Sequence, residues 1–158
     1  MQEDVLALDK FSHTLEWLLA LQGRYPNLIQ FGIIHVEFHN RQRLGQLYGA
    51  KDAMAMLTKL TSDLRQKFRK TDLVARLGMD FWILVPYTEP DTVTEKVHTL
   101  VELASQAGLG VVSRDVAVFS HQDPVLQEAS CCATPESFLL YLKRNRNINR
   151  HWQPSPML

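Results

Sequence analysis

The sequence predicts one α+β domain in which helices pack on a mainly antiparallel sheet. The first observation that favours this class is a pair of apolar segments, residues 72–77 and 81–85, separated by Gly78, Met79 and Asp80. A short glycine-containing break between two strand-like runs is typical of a β-hairpin. Because both runs are nearly continuously apolar, we expect the hairpin in the middle of a sheet that is covered on both faces.

The second observation is the order of helix-like and strand-like segments. Before the hairpin, the pattern predicts a helix from Asp9 to Gly23, a strand over 28–38, a polar connection over 39–43 and a long helix from Leu44 to Phe68. After it, the pattern predicts a helix from Thr88 to Gly108, a strand region over 109–120 with a break at 113–115, and a helix that begins at Thr134 and Pro135. The central order βαββαβ is that of a ferredoxin-like fold.

Apolar residues recur at three- and four-residue spacing in the long helix, and they include Leu47, Met54 and Leu57. This periodicity predicts an apolar face that covers the sheet. The strand before this helix ends near Glu37, which we expect at the rim of the sheet.

Length and composition suit a single domain, with a core over about residues 9–150 and a flexible C-terminal tail. Seventeen basic and seventeen acidic residues cancel, which argues against a general nucleic-acid-binding surface. The N-terminus lacks a signal-peptide pattern and no apolar run approaches membrane-spanning length, so we expect a cytoplasmic domain without membrane contact. The adjacent Cys131 and Cys132 are interpreted as reduced thiols. The sequence leaves open whether the chain is a fragment of a larger sensor protein.

The hairpin carries a specific pattern of residues: Arg69, Asp72, Arg76, Gly78, Asp80, Phe81 and Pro86. This pattern resembles the signature hairpin of GGDEF domains, the diguanylate cyclase family, and it implies their palm-like fold. Between Arg76 and Pro86 the sequence is one residue short of the family pattern, and a glycine and an acidic residue are replaced or missing around Met79. The resemblance extends over roughly residues 9–150.

A second match, Tyr48-Gly49 followed by Leu57, sets the family register without a gap. In this register the resemblance places the metal-binding aspartate on Glu37 and a lysine on Gln42. It places the two guanine-binding residues on Gly45 and Met54. Asp80 has two registers: counted from Arg76 it takes a metal-ligand position, and counted back from Phe81 it takes the next acidic position.

A weaker match over Tyr141–Arg150 places Arg144 at a phosphate-binding lysine and Asn149 at an asparagine of the family. Arg144 belongs to a basic cluster with Lys143, Arg146 and Arg150. This cluster could meet phosphate, but we favour its interpretation as a solvated helix end that complements the helix dipole.

These substitutions argue against catalysis. A cyclase holds two Mg²⁺ ions on carboxylates, fixes a triphosphate and recognises guanine. Gly45 has no side chain to offer guanine, and Met54 cannot accept hydrogen bonds as a carboxylate does. At least one family carboxylate is also lost, so Asp80 is interpreted as a vestigial catalytic residue.

By contrast, Arg69 and Asp72 match both positions of the family's R-x-x-D inhibitory site for cyclic di-GMP. A guanidinium binds phosphate or a guanine edge in a bidentate manner, and a carboxylate accepts from guanine N–H groups. The alternative is that the two residues simply pair with each other across a helix-to-strand corner.

Three functions follow from this interpretation. The first is a non-catalytic module of bacterial signalling that binds cyclic di-GMP through Arg69 and Asp72. The second is a protein-interaction or dimerisation domain that binds no nucleotide, for which a homodimer is one possible state. The third is a weakly active cyclase that uses GTP, with Mg²⁺ on Glu37 and Asp80 and phosphate on Arg144; Mg²⁺ is implied only in this case.

Overall fold

The computed structural model describes residues 2–25, 30–38, 41–86, 90–109, 114–121, 123–129 and 134–145. In chain order the elements are α1 (Gln2–Arg24), β1 (Phe31–Phe38), α2 (Arg41–Lys67), β2 (Leu73–Leu77), β3 (Asp80–Pro86), α3 (Pro90–Gln106), β4 (Arg114–Ser120), α4 (Pro124–Ala129) and α5 (Pro135–Arg144).

The four strands form one sheet in the order β2-β3-β1-β4, and every neighbouring pair is antiparallel. This arrangement confirms the predicted α+β class and the βαββαβ core. The predicted position of the hairpin holds for β3, which lies between β2 and β1. It is wrong for β2, which forms an edge of the sheet and is the shorter of the two strands.

Helices cover both faces of the sheet, and strand alternation divides the apolar side chains between two cores. One core joins α2 and α3 to the sheet; its helical members are Leu57, Leu60, Leu64, Phe68, Val93, Val97, Leu100 and Ala104. The other joins α1, α4 and α5 to the opposite face; its helical members are Phe11, Leu15, Leu18, Leu19, Leu126, Leu139 and Leu142. The apolar runs of β1 and β3 are continuous because alternate side chains enter different cores.

The hairpin turn is tighter than the sequence predicts. Leu77 pairs with Asp80, so Gly78 and Met79 alone connect the strands and Asp80 is the first residue of β3. Gly78 has a φ of 62°, a left-handed conformation that favours glycine. Asp80 is therefore a strand residue on the sheet rather than part of the break.

Helix α2 is kinked at Gly49, where φ is 80° and ψ is 156°. Leu47 lies before the kink, so it does not share a continuous helical face with the apolar residues that follow it. Leu47 is 53% exposed and Met54 is 49% exposed, so their predicted place on the sheet-covering face is wrong. The side chain of Leu44 lies outside the described residues.

Several boundaries also differ from the expectations. Helix α1 begins at Gln2, so Asp9 lies inside the helix rather than at its cap, and the helix ends one residue after Gly23. Part of the predicted polar connection belongs to α2, which begins at Arg41. The predicted break at 113–115 is wrong for Arg114 and Asp115, which pair with β1.

The C-terminal elements combine one confirmed expectation with one missed helix. Thr134 caps α5: its hydroxyl accepts the backbone N–H of Ser137 at 3.2 Å, as in a capping box. The short helix α4 was not predicted. The expectations for residues 26–29, 87–89, 110–113, 131–133 and 146–158, among them Thr88, Cys131, Cys132 and Asn149, lie outside the described residues. Within the described part of the chain, none of the helices combines the length and apolar character needed to span a bilayer.

Candidate functional site

The carboxylates of Glu37 and Asp80 lie side by side at one end of the sheet. The antiparallel register of β1 and β3 pairs the two residues directly, on the face that α1, α4 and α5 cover. Helix α5 brings Lys143 between them. Its Nζ atom is 2.7 Å from Glu37 Oε2 and 3.2 Å from Asp80 Oδ2. One ammonium group therefore bridges two carboxylates that a strand pairing holds together.

His35 of β1 is the fourth side chain of this cluster. Its ring is 1% exposed and stacks on Trp82, with 4.1 Å between ring centroids and 20° between planes. Its Nε2 atom lies 3.1 Å from Asp80 Oδ1. Both oxygens of Asp80 thus have a nitrogen neighbour, one from the sheet and one from α5.

The charges in this cluster favour the ionised forms. Burial raises the pKa of Asp80, but the hydrogen bond and charge of His35, followed by those of Lys143, hold it below its ordinary value of 3.8. Burial lowers the pKa of Lys143, but the contacts with Glu37 and Asp80 raise it above its ordinary value of 10.5. At neutral pH the cluster is an ammonium bound between carboxylates.

A second cluster lies at the corner between α2 and β2. The carboxylate of Asp72 is 2% exposed, and its Oδ2 atom accepts the backbone N–H of Arg69 at 3.2 Å. The same oxygen forms an ion pair with the ammonium group of Lys96 on α3. Lys96 also lies over the ring of Phe68, with Nζ 4.9 Å from the ring centroid. The side chain of Arg69 is exposed beside this buried pair.

The positions that the family assigns to guanine offer little polar contact. A side chain at Gly45 would meet nothing within 4 Å, so the glycine is not required by close packing. Met54 is half exposed, and the contact of its Sδ atom is with Nη2 of Arg76 at 3.7 Å. The side chain of Gln42, which takes the place of a family lysine, is outside the described residues.

The family model described as "Diguanylate cyclase, GGDEF domain" matches residues 10–111, which is more than half of the chain. The chain belongs to the GGDEF family. A comparison with curated protein sequences gave no match.

Solved GGDEF structures share this fold at low sequence identity. The GGDEF domain of YfiN (TpbB) from Pseudomonas aeruginosa is 17% identical with a TM-score of 0.60, over 87% of this chain and 90% of that one. The GGDEF domain of DgcB from Caulobacter crescentus, in complex with c-di-GMP, is 12% identical with a TM-score of 0.61, over 87% and 85% of the two chains.

The diguanylate cyclase SiaD of Pseudomonas aeruginosa, in complex with its activator SiaC, is 13% identical with a TM-score of 0.62. The match covers 87% of this chain and 55% of SiaD, so this chain spans about half the length of that cyclase. At these identities the structural likeness shows the fold, and the function of this GGDEF domain depends on its own residues.

The Mg²⁺ ions that the GGDEF family implies do not fit the residues present. The family register assigns Glu37 and Asp80 to metal, yet both carboxylates bind Lys143, and Asp80 also contacts His35. Among the residues that the structure describes, no group of three or more His, Cys, Asp or Glu side chains is arranged to hold a metal ion. This geometry does not support the metal role predicted for Glu37 and Asp80.

The cation of α5 that contacts the carboxylates was not identified from the sequence. Arg144, the predicted phosphate-binding residue, is exposed at the end of the helix, and the residue that faces the carboxylates is Lys143. The interpretation of Lys143 as a solvated dipole partner is therefore wrong. Helical spacing could have shown that Lys143 faces the sheet. It follows the buried Leu139 by four residues and so lies on the same side of the helix.

Sequence reasoning also missed Lys96. Arg69 and Asp72 contact each other at this corner through the backbone N–H of Arg69, but the ion pair of the carboxylate is with Lys96. Lys96 precedes the buried Val97 in α3, and its role depends on how α3 packs beside α2. The sequence pattern of α3 alone does not reveal that packing.

Proposed function

We propose that this GGDEF domain is a non-catalytic module of cyclic di-GMP signalling that binds the dinucleotide at the corner formed by Arg69, Asp72 and Lys96. The observation that carries the proposal is the exposed guanidinium of Arg69 beside a carboxylate held in place by two donors. A fixed carboxylate and a solvent-facing guanidinium are the groups that recognise guanine and phosphate.

The charges at the corner suit a dianionic ligand. Arg69 and Lys96 supply two positive groups, and Asp72 supplies one negative group that Lys96 partly neutralises. The Asp72 carboxylate is 2% exposed and both of its contacts are made by Oδ2, so we assign it to holding the corner in place. The exposed guanidinium of Arg69 would then make the bidentate contact with a phosphate or a guanine edge.

The residues at the positions predicted to bind guanine support a role without catalysis. Gly45 and the half-exposed Met54 provide no carboxylate or amide for a guanine edge. A site that lacks its hydrogen-bonding partners loses most of its discrimination for a polar ligand. We therefore propose that the domain binds cyclic di-GMP in the bacterial cytoplasm without producing it, alone or attached to a sensor or effector domain.

Binding of fluorescent cyclic di-GMP, followed by anisotropy, tests this assignment. We expect Arg69→Ala to weaken binding at least about tenfold, because a charged hydrogen-bond partner contributes about 1.5–3 kcal/mol. The matched control is Lys70→Ala, which removes an exposed charge at the next position and should change affinity by less than about threefold. Equal weakening by both substitutions would indicate general electrostatic attraction and would contradict a site at Arg69.

A second candidate function is a protein-interaction domain, and the exposed apolar side chains of α2 favour it. Leu47 and Met54 are about half exposed on the helix that would otherwise line a substrate site. SiaD, which has the same fold, has been solved with a protein activator. This candidate predicts that wild-type protein binds neither cyclic di-GMP nor GTP with Mg²⁺, and that Met54→Asp abolishes binding to a partner or to a second copy of the domain without unfolding it.

A further inference from the structure

We infer that Lys143 takes the place of a divalent cation at the rim of this GGDEF domain. The ammonium group contacts one oxygen of Glu37 and one oxygen of Asp80, at 2.7 and 3.2 Å. Two carboxylates paired across β1 and β3 repel each other unless a positive charge lies between them. Lys143 supplies that charge from inside the chain.

The position of the lysine explains why a metal ion would not displace it readily. A divalent ion needs several oxygen ligands at 2.0–2.6 Å, depending on the metal. Here Glu37 Oε2 and Asp80 Oδ2 bind the ammonium, and Asp80 Oδ1 faces the ring of His35. A metal ion bound by these two carboxylates through the same oxygens would therefore have to displace Lys143.

Replacing a metal ion by Lys143 changes what the cation does at this end of the sheet. A metal ion can dissociate, whereas the ammonium group is covalently part of α5. The contact consequently fastens α5 to the ends of β1 and β3, next to the buried Leu142. This inference uses no residue of the Arg69 corner, so the presence or absence of dinucleotide binding does not decide it.

Direct titration with Mn²⁺, followed by electron paramagnetic resonance of the free ion, tests the inference. We expect the wild type to show no saturable site at millimolar Mn²⁺, and Lys143→Met to gain one that saturates at a concentration at least about tenfold lower, because the two carboxylates then no longer share the ammonium group. Lys143→Arg retains the charge and should gain no site. Arg144→Met, at the next position on the same helix, should behave as the wild type does.

The carboxylates provide the next control, because the gained site should disappear in the double variant Lys143→Met with Glu37→Gln. A saturable site in the wild type, or a Lys143→Met variant that folds and gains none, would overturn the inference. A measurement on the wild type alone gives an independent test, because it does not depend on whether a variant folds. Its melting temperature should be the same with Mg²⁺ and with a chelator, and a rise with Mg²⁺ would contradict the replacement.

Discussion

Lys96 of α3 and Asp72 of the corner before β2 form a buried ion pair, with side-chain exposures of 12% and 2%. The pair links the helix after the hairpin to the segment before it. Lys96 also rests on Phe68, so its aliphatic chain and charge both have partners. The corner that we assign to the ligand is therefore part of the packing between α2 and α3.

This pair predicts a loss of stability when one partner is removed. Lys96→Met should lower the free energy of unfolding by about 2–4 kcal/mol, because the Asp72 carboxylate remains buried without a counter-charge. Urea denaturation measures the change, and Lys70→Met is the exposed control. The double variant with Asp72→Asn should recover part of the loss; a double variant less stable than Lys96→Met would contradict this account.

Arg114 predicts a gain of stability instead. It is 4% exposed on β4, burial lowers its pKa, and its Nε atom has no hydrogen-bond partner among the residues that the structure describes. A buried donor without a hydrogen-bond partner costs free energy, and an apolar side chain removes that cost. Arg114→Met should therefore raise the free energy of unfolding by about 1–2 kcal/mol in urea denaturation. A loss of stability would show that the guanidinium has a role in the folded state.

The cluster at Asp80 predicts a dependence of stability on acidity. Because the pKa of Asp80 is lower in the folded state, its contribution is present above the ordinary value of 3.8 and is lost as the pH falls through the folded value. When denaturation curves are recorded at successive pH values, Asp80→Asn should lose less stability than the wild type as the pH falls below 3.8. A fall of stability as steep in Asp80→Asn as in the wild type would contradict the role of this carboxylate.

Backbone conformation predicts opposite effects of alanine at two glycines, Gly78 in the hairpin turn and Gly23 in α1. Gly78→Ala should destabilise the domain by about 1 kcal/mol or more, because φ of 62° is strained for a side chain although nothing lies within 4 Å. Gly23→Ala, in the last turn of α1 and also without close neighbours, should stabilise it slightly, by no more than about 0.5 kcal/mol. Thermal denaturation of both variants measures the contrast, and equal shifts would contradict the turn geometry.

Local sequence signals predicted the parts of the fold that depend on local chemistry. The glycine-containing break predicted the hairpin, and Thr134-Pro135 predicted the start of α5. The order of elements was sufficient for the fold class because it restricts the connections to a split-βαβ arrangement. The kink at Gly49 was missed, since a glycine inside a helical pattern does not by itself show that the helix bends.

The site was predicted less completely, because its contacts join residues distant in sequence. The pairing of Glu37 with Asp80 follows from the antiparallel register and was consistent with both positions proposed for Asp80. Lys143 and Lys96 reach their carboxylates from helices on opposite faces of the sheet. Their roles depend on helix rotation and packing, which the family motif does not specify for these positions.

Isothermal titration of the wild-type domain with cyclic di-GMP, in the presence of a chelator, tests the central claim most directly. The account predicts saturable binding without Mg²⁺, and no cyclic di-GMP formed when GTP and Mg²⁺ are supplied instead. Folded protein that gives no binding heat, in a titration that detects micromolar affinity with a positive control, would contradict the claim. Function would then rest on the exposed apolar side chains of α2.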